Sequence, residues 1–139
     1  MPQVPVNHVA VFVSAVIPII VGMVWHGKLF WKQWATLSGQ PINQQKPKDM
    51  GKKMLIAFVG WLLMSYVLQH AIVFANAYLG TSGVFGGLMS GFFNWLGFTA
   101  IVSAMPMLWE GKSWKLWFIN SGHILVSLLI MGAILSVWM

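Results

Sequence analysis

Four stretches of this chain run for more than twenty residues without an Asp, Glu, Lys or Arg: residues 5–25, 54–76, 86–108 and 116–138. That exclusion of charge constrains the fold more than any other feature. At 1.5 Å of rise per residue, each stretch reaches across a hydrocarbon core of roughly 30 Å as a helix. A helix pairs every backbone N–H and C=O within the segment, which lipid demands. Strands would alternate with period two, and no such alternation is present. The charge content agrees. Only 7% of the 139 residues are charged, against about 25% in a soluble domain, and so few charges cannot cover a water-facing globule. The fold class predicted is all-α: a single membrane domain, residues 1–139, made of a four-helix transmembrane bundle. The first stretch has no basic residue before Lys28, so it reads as a span and not as a cleaved leader.

The connections set the orientation. The loop at residues 28–53 holds Lys28, Lys32, Lys46, Lys48, Lys52 and Lys53 against Asp49. The short connection at residues 110–115 holds Lys112 and Lys115 against Glu110. The remaining connection and the first residues carry no charge, so all eight Lys fall on one side of a four-span arrangement. Positive charge collects in the cytoplasm, which puts both Lys loops there and both termini outside. Trp25, Trp31, Trp34, Trp109, Trp114 and Trp117 cluster at the same level, where indole rings anchor at an interface. Residues 28–37 mix Trp and Leu with Lys and read as a short interfacial helix or an extension of the first span. Ser38-Gly39-Gln40-Pro41 then breaks it, and residues 42–50 read as a polar tether. The basic loop has the lipid bilayer and its anionic headgroups as its expected partner. With no Arg and no basic face on a soluble fold, nucleic acid is excluded as a partner.

Two halves of the chain echo one another. Trp25-His26-Gly27-Lys28 and Trp109-Glu110-Gly111-Lys112 each close a span, Trp31-Lys32 and Trp114-Lys115 follow, and Gly60 and Gly122 each precede a serine by five residues. The pattern fits two helical hairpins in parallel repeat, or a shared use of interfacial Trp, Gly and Lys.

Polar residues inside a bilayer are costly and are the first candidates for function. Here they are His70, Gln69, Asn94, Asn120 and His123, with His8 near the outer end of the first span. None of the four stretches contains a carboxylate, so the usual proton-carrying acid of a pump, the acidic ring of a cation channel and the paired acids of a hydrolase are missing. Ser121 and His123 point to different helix faces, and no acid is there to orient a histidine, so no enzyme and no catalytic residue is expected. No cofactor or metal is expected either. The alternative is a haem- or metal-binding redox protein in which His8 and His70, both in the outer half by helix rise, supply imidazole ligands. Against it stands the lack of any clustered ligand spacing. Gly83, Gly87 and Gly91 recur every four residues, a row that lets helix backbones approach closely in lipid. It suits packing against the second or fourth span, since the short second loop already sets the second span beside the third; a face for a homodimer or larger membrane complex is the alternative.

Asn7-His8-Val9-Ala10-Val11, Gly22-Met23-Val24-Trp25-His26 and the aromatic stretch from Leu29-Phe30 to Trp34 resemble the opening of the DUF1761 family of small bacterial membrane proteins. Trp95-Leu96-Gly97-Phe98, Trp109-Glu110-Gly111-Lys112, Ile119-Asn120-Ser121-Gly122-His123 and Gly132-Ala133-Ile134-Leu135 are similar to its second half. The resemblance implies a four-helix integral protein of the bacterial plasma (inner) membrane with no assigned function, and it supplies no catalytic residues. The family often has Tyr after the first Trp, where this chain has His26. The function expected is a non-enzymatic, small-solute permease-like module or an accessory subunit of a membrane complex.

The eight-to-none division of Lys predicts that reporter fusions at Met139 are active outside and that insertions in residues 42–50 are active inside. A Met139 fusion active only in the cytoplasm overturns this topology.

Overall fold

The computed structural model describes residues 4–42 and 48–139, and every regular element among them is helical. Helix α1 (His8–Val24) continues through a π-helical turn (Trp25–Leu29) into the short α2 (Trp31–Ser38), and α3 (Met50–Leu79) follows. Next, α4 (Gly83–Asn94), a second π-helical turn (Trp95–Ala100) and α5 (Ile101–Trp109) form one rod, and α6 (Trp114–Val137) ends the order. Four helical segments are long and apolar enough to cross a membrane: His8–Leu29, Met50–Leu79, Gly83–Trp109 and Trp114–Val137. This is the all-α, four-span class read from the sequence. The first two spans are longer than expected on the lysine side, one continuing to Leu29 and the other starting at Met50. A lysine can lay its stem along apolar surface and hold its ammonium among the headgroups, so Lys28, Lys52 and Lys53 do not mark helix ends. Most of the polar tether, residues 43–47, lies outside the described residues.

The ends follow local chemistry. Asn7 caps α1, its Oδ1 accepting from the N–H groups of Val9 and Ala10, each at 3.1 Å. The same side chain donates from Nδ2 to the Trp138 carbonyl at 2.7 Å, tying the first turn of α1 to the last of α6. Ser113 caps α6 by accepting from the Lys115 N–H at 3.2 Å. Helix α2 stops at Gly39, whose φ of +73° is left-handed, and the Gln40 N–H closes back on the Ala35 carbonyl.

Lipid tails are as apolar as leucine, so burying apolar surface between spans gives little drive, and close packing and hydrogen bonds hold such a bundle. Helix α6 is the hub, with α4, α1, α3 and α5 all packed on it. Its contact with α4 is the most extensive and the closest. At the crossing, a Cβ added to Gly87 would collide with the Gly132 carbonyl, and one added to Gly132 would collide with the Gly87 carbonyl. A Cβ at Gly91 would stand 2.5 Å from the Leu128 carbonyl oxygen. Two members of the expected glycine row thus face the fourth span. Gly83 does not share this contact. A Cβ there meets nothing within 4 Å, and its φ of +61° shows that it serves the turn into α4. Gly132, across the crossing, is the partner that the row did not reveal.

The apolar core lies in the half of the bundle away from the lysines, where Ala10 and Val11 of α1 meet Leu68 and Ile72 of α3 and Leu128, Met131 and Leu135 of α6. Pro18 interrupts α1 at mid-span. It has no N–H to give the Ser14 carbonyl, and the buried Ser14 hydroxyl has no partner among the described residues.

Gly87→Val or Gly132→Val is expected to destabilise the bundle by about 3 kcal/mol through overpacking, read as a lower midpoint of thermal unfolding in mild detergent. Gly60→Ala, in open space on α3, should be neutral or slightly stabilising.

Candidate functional site

The polar residues of the spans do not converge as a set. His8 is exposed at the first turn of α1. His70 is occupied within its own helix, with Nδ1 2.9 Å from the Tyr66 carbonyl oxygen and its ring against that of Tyr66. Asn94 also turns back on its own helix, donating to the Ser90 carbonyl at 2.8 Å. It borders a groove of about 470 Å³ between α3, the α4 rod and α6, whose lining includes Leu63, Val67, Phe98 and Leu128. Gln69 is fully buried, and neither its amide oxygen nor its nitrogen has a partner among the described residues. Among the described residues no three His, Asp, Glu or Cys side chains gather as metal ligands.

Asn120 and His123 belong to a cluster, and its other half is on α1. The buried His123 ring has Nε2 2.9 Å from the Pro18 carbonyl oxygen. His26 Nε2 lies 3.4 Å from Asn120 Oδ1, and the two imidazoles meet edge to face with centroids 5.1 Å apart. Trp61 of α3 adds a third wall, 5.9 Å from His123, and Trp34 of α2 a fourth, 5.5 Å from His26. His26 stands just past the first apolar stretch and His123 seven residues inside the fourth. They meet because the first span continues to Leu29, which draws His26 inside the helix.

Reciprocal small residues make the approach possible. Gly22 faces the His123 ring, where an added Cβ would lie 3.1 Å from Nε2. Gly122 faces the Trp25 ring, where an added Cβ would lie 3.0 Å from a ring carbon. Trp25 donates its indole N–H to the Ile119 carbonyl at 2.8 Å. Trp95, which opens the second π-helical turn, donates to the Ser121 carbonyl at 2.9 Å, two residues farther along α6. Trp117 donates to the Ala100 carbonyl at 3.0 Å. The expectation that Trp25 and Trp117 are interfacial anchors is therefore corrected: their N–H groups cross-link helices, because an indole N–H in lipid needs an acceptor and a neighbouring carbonyl supplies it. Trp109 remains 84% exposed, so the geometric counterpart of Trp25 is Trp95 rather than Trp109. The spacing that carried this information is Pro18, Gly22 and His26 at every fourth residue, one stripe of α1.

The cluster borders a cavity of about 940 Å³ between α1, α2 and the start of α3. Pro18, Gly22, His26 and Trp61 line its inner part, Trp31 and Trp34 one side, and Lys48 and Lys53 also line it. Among the described residues, no acidic side chain lines it. The chemistry on offer is aromatic and apolar contact, imidazole and amide hydrogen bonding, and positive charge from the lysine side.

A family model described as "Protein of unknown function (DUF1761)" matches residues 9–136, nearly the whole chain, and the chain belongs to that family. No curated protein and no solved structure matches it.

Trp25→Phe should remove the indole bond to Ile119 and cost about 1 kcal/mol of stability, visible as a lowered unfolding midpoint by circular dichroism. Trp109→Phe, at an exposed position, should leave that midpoint unchanged.

Proposed function

We propose that this DUF1761 member is a non-enzymatic, permease-like membrane module that takes a small molecule into the cavity beside His26 and His123 from its lysine side, with that side cytoplasmic and both termini outside. The observation that carries this reading is the cavity itself. At about 940 Å³ it has the size of a small-molecule site, its walls come from three helices, and a few polar groups converge at one wall. The residue set favours binding over chemistry. The chain's two acids, Asp49 and Glu110, lie outside the four apolar stretches, and both imidazoles of the cluster are directed at oxygen acceptors. His70, committed to the Tyr66 carbonyl through Nδ1, fits the redox alternative with His8 less well than it fits a helix-packing role.

The chain has no cysteine, so single-cysteine variants report cleanly on access. Ala57 of α3 lines the cavity, and its neighbour Ile56, 63% exposed and at the same depth, does not. In sealed vesicles, Ala57→Cys should react with a charged, membrane-impermeant thiol reagent from the lysine side at least tenfold faster than Ile56→Cys. Equal and slow reaction of the two would remove the cavity as a binding site and leave the accessory-subunit reading.

A further inference from the structure

We infer that the ligand of this cavity is a single-chain anionic amphiphile, a long-chain fatty-acid anion drawn from the membrane leaflet on the lysine side. The inference rests on the cavity reading above and specifies what the cavity selects.

Three observations converge on that chemistry. First, charge: among the described residues Lys48 and Lys53 line the cavity and no carboxylate does, and Lys28, Lys32 and Lys52 of the same basic stretch outweigh its one acid, Asp49. Both lysines are exposed, and an anionic group beside them gains their attraction, which a neutral ligand does not gain and a cationic one opposes. Second, surface: Pro18, Ile19, Met23, Met54, Ala57 and Trp61 make the rest of the wall predominantly apolar. A small hydrophilic anion such as acetate could meet the two lysines but would gain no contact from the rest of this wall. An acyl chain loses nothing there and gains close contact with the flat indole faces. Third, direction: α3 carries Lys53 near its start and Trp61 eight residues on, and both line the cavity. The charged end and the apolar end are therefore separated by about 12 Å along the membrane normal. An amphiphile in the adjoining leaflet already has that order, headgroup outward and tail inward, so it enters without inverting.

The roles divide accordingly. Lys48 and Lys53 hold the carboxylate, Trp31, Trp34 and Trp61 flank the chain, and the His26–His123 pair closes the wall behind it. Gly22 lets the His123 ring seat against α1.

The test uses the full chain in phosphatidylcholine nanodiscs, with its own tryptophans as the reporter, since bromine quenches indole fluorescence on contact. Titration with dibromostearate should give saturable quenching. A brominated monoacylglycerol of the same chain length, identical but uncharged, should give only weak, non-saturating quenching, and acetate should not compete. Lys48→Gln with Lys53→Gln should weaken dibromostearate binding about twentyfold, at a few-fold per lysine. Lys112→Gln with Lys115→Gln, on the other lysine loop, should change it less than twofold. Ala57→Phe, which fills the cavity, should abolish saturable quenching while helicity stays unchanged. Equal quenching by the charged and uncharged probes overturns the inference, as does competition by acetate or an equal effect of the two lysine pairs. Each of those results leaves the cavity reading intact if Ala57→Cys is reactive. An unreactive Ala57→Cys removes both.

Discussion

The backbone contact between α4 and α6 at Gly87 and Gly132 is the approach on which the rest of the bundle depends. No side chain stands between the two helices there, so the α4 rod and α6 act as one slab. In water such a pair would be held by burial of apolar surface, but in lipid that term nearly vanishes, and what remains is the density of backbone contact and the bonds that can form once helices are this close. The slab holds α6 in place, and α6 then offers its other faces to α1 and α3. Everything described at the His26–His123 cluster sits on that second face.

The three interior indole bonds belong to the same logic. Trp25, Trp95 and Trp117 each reach a carbonyl on a different segment, and two of those carbonyls, on Ile119 and Ser121, lie within three residues of one another on α6. A carbonyl already in a helical bond can accept a second donor through its other lone pair. The bundle thus gains specific cross-links without breaking its helices. Both π-helical turns open with one of these tryptophans, Trp25 and Trp95. Each local widening of the helix coincides with a ring that must turn toward α6.

What the residues disclosed in advance was whatever depends on one residue at a time. Charge exclusion marks a span wherever it occurs, so the four spans and the family were legible. The cost of a polar group in lipid pointed to Asn120 and His123, and both are in the cluster. His70 and Asn94 were singled out by the same rule and are bonded to their own helices instead, because a long side chain four residues from a carbonyl can satisfy itself locally. His26 was missed because it stands at the edge of an apolar run, where a histidine looks like an ordinary interfacial residue. Its inclusion depends on how far the helix continues past Trp25, a matter of packing against α6 that local composition does not encode. Gly22 and Gly122 carried the clearest overlooked signal, since a glycine opposite a large ring has meaning only when both helices are known.

Pro18 has a consequence of a mechanical kind. It removes one rung from the hydrogen-bond ladder of α1 at mid-membrane, and the π-helical turn beginning at Trp25 loosens the same helix less than one turn beyond Gly22. Between these two points lies a short rigid block, residues 19–24, that carries one wall of the cavity. Bending costs least at such places, and the residues between them include Ile19, Gly22 and Met23, which line the cavity. The His123 ring, with Nε2 on the Pro18 carbonyl, ties the inner end of that stretch to α6.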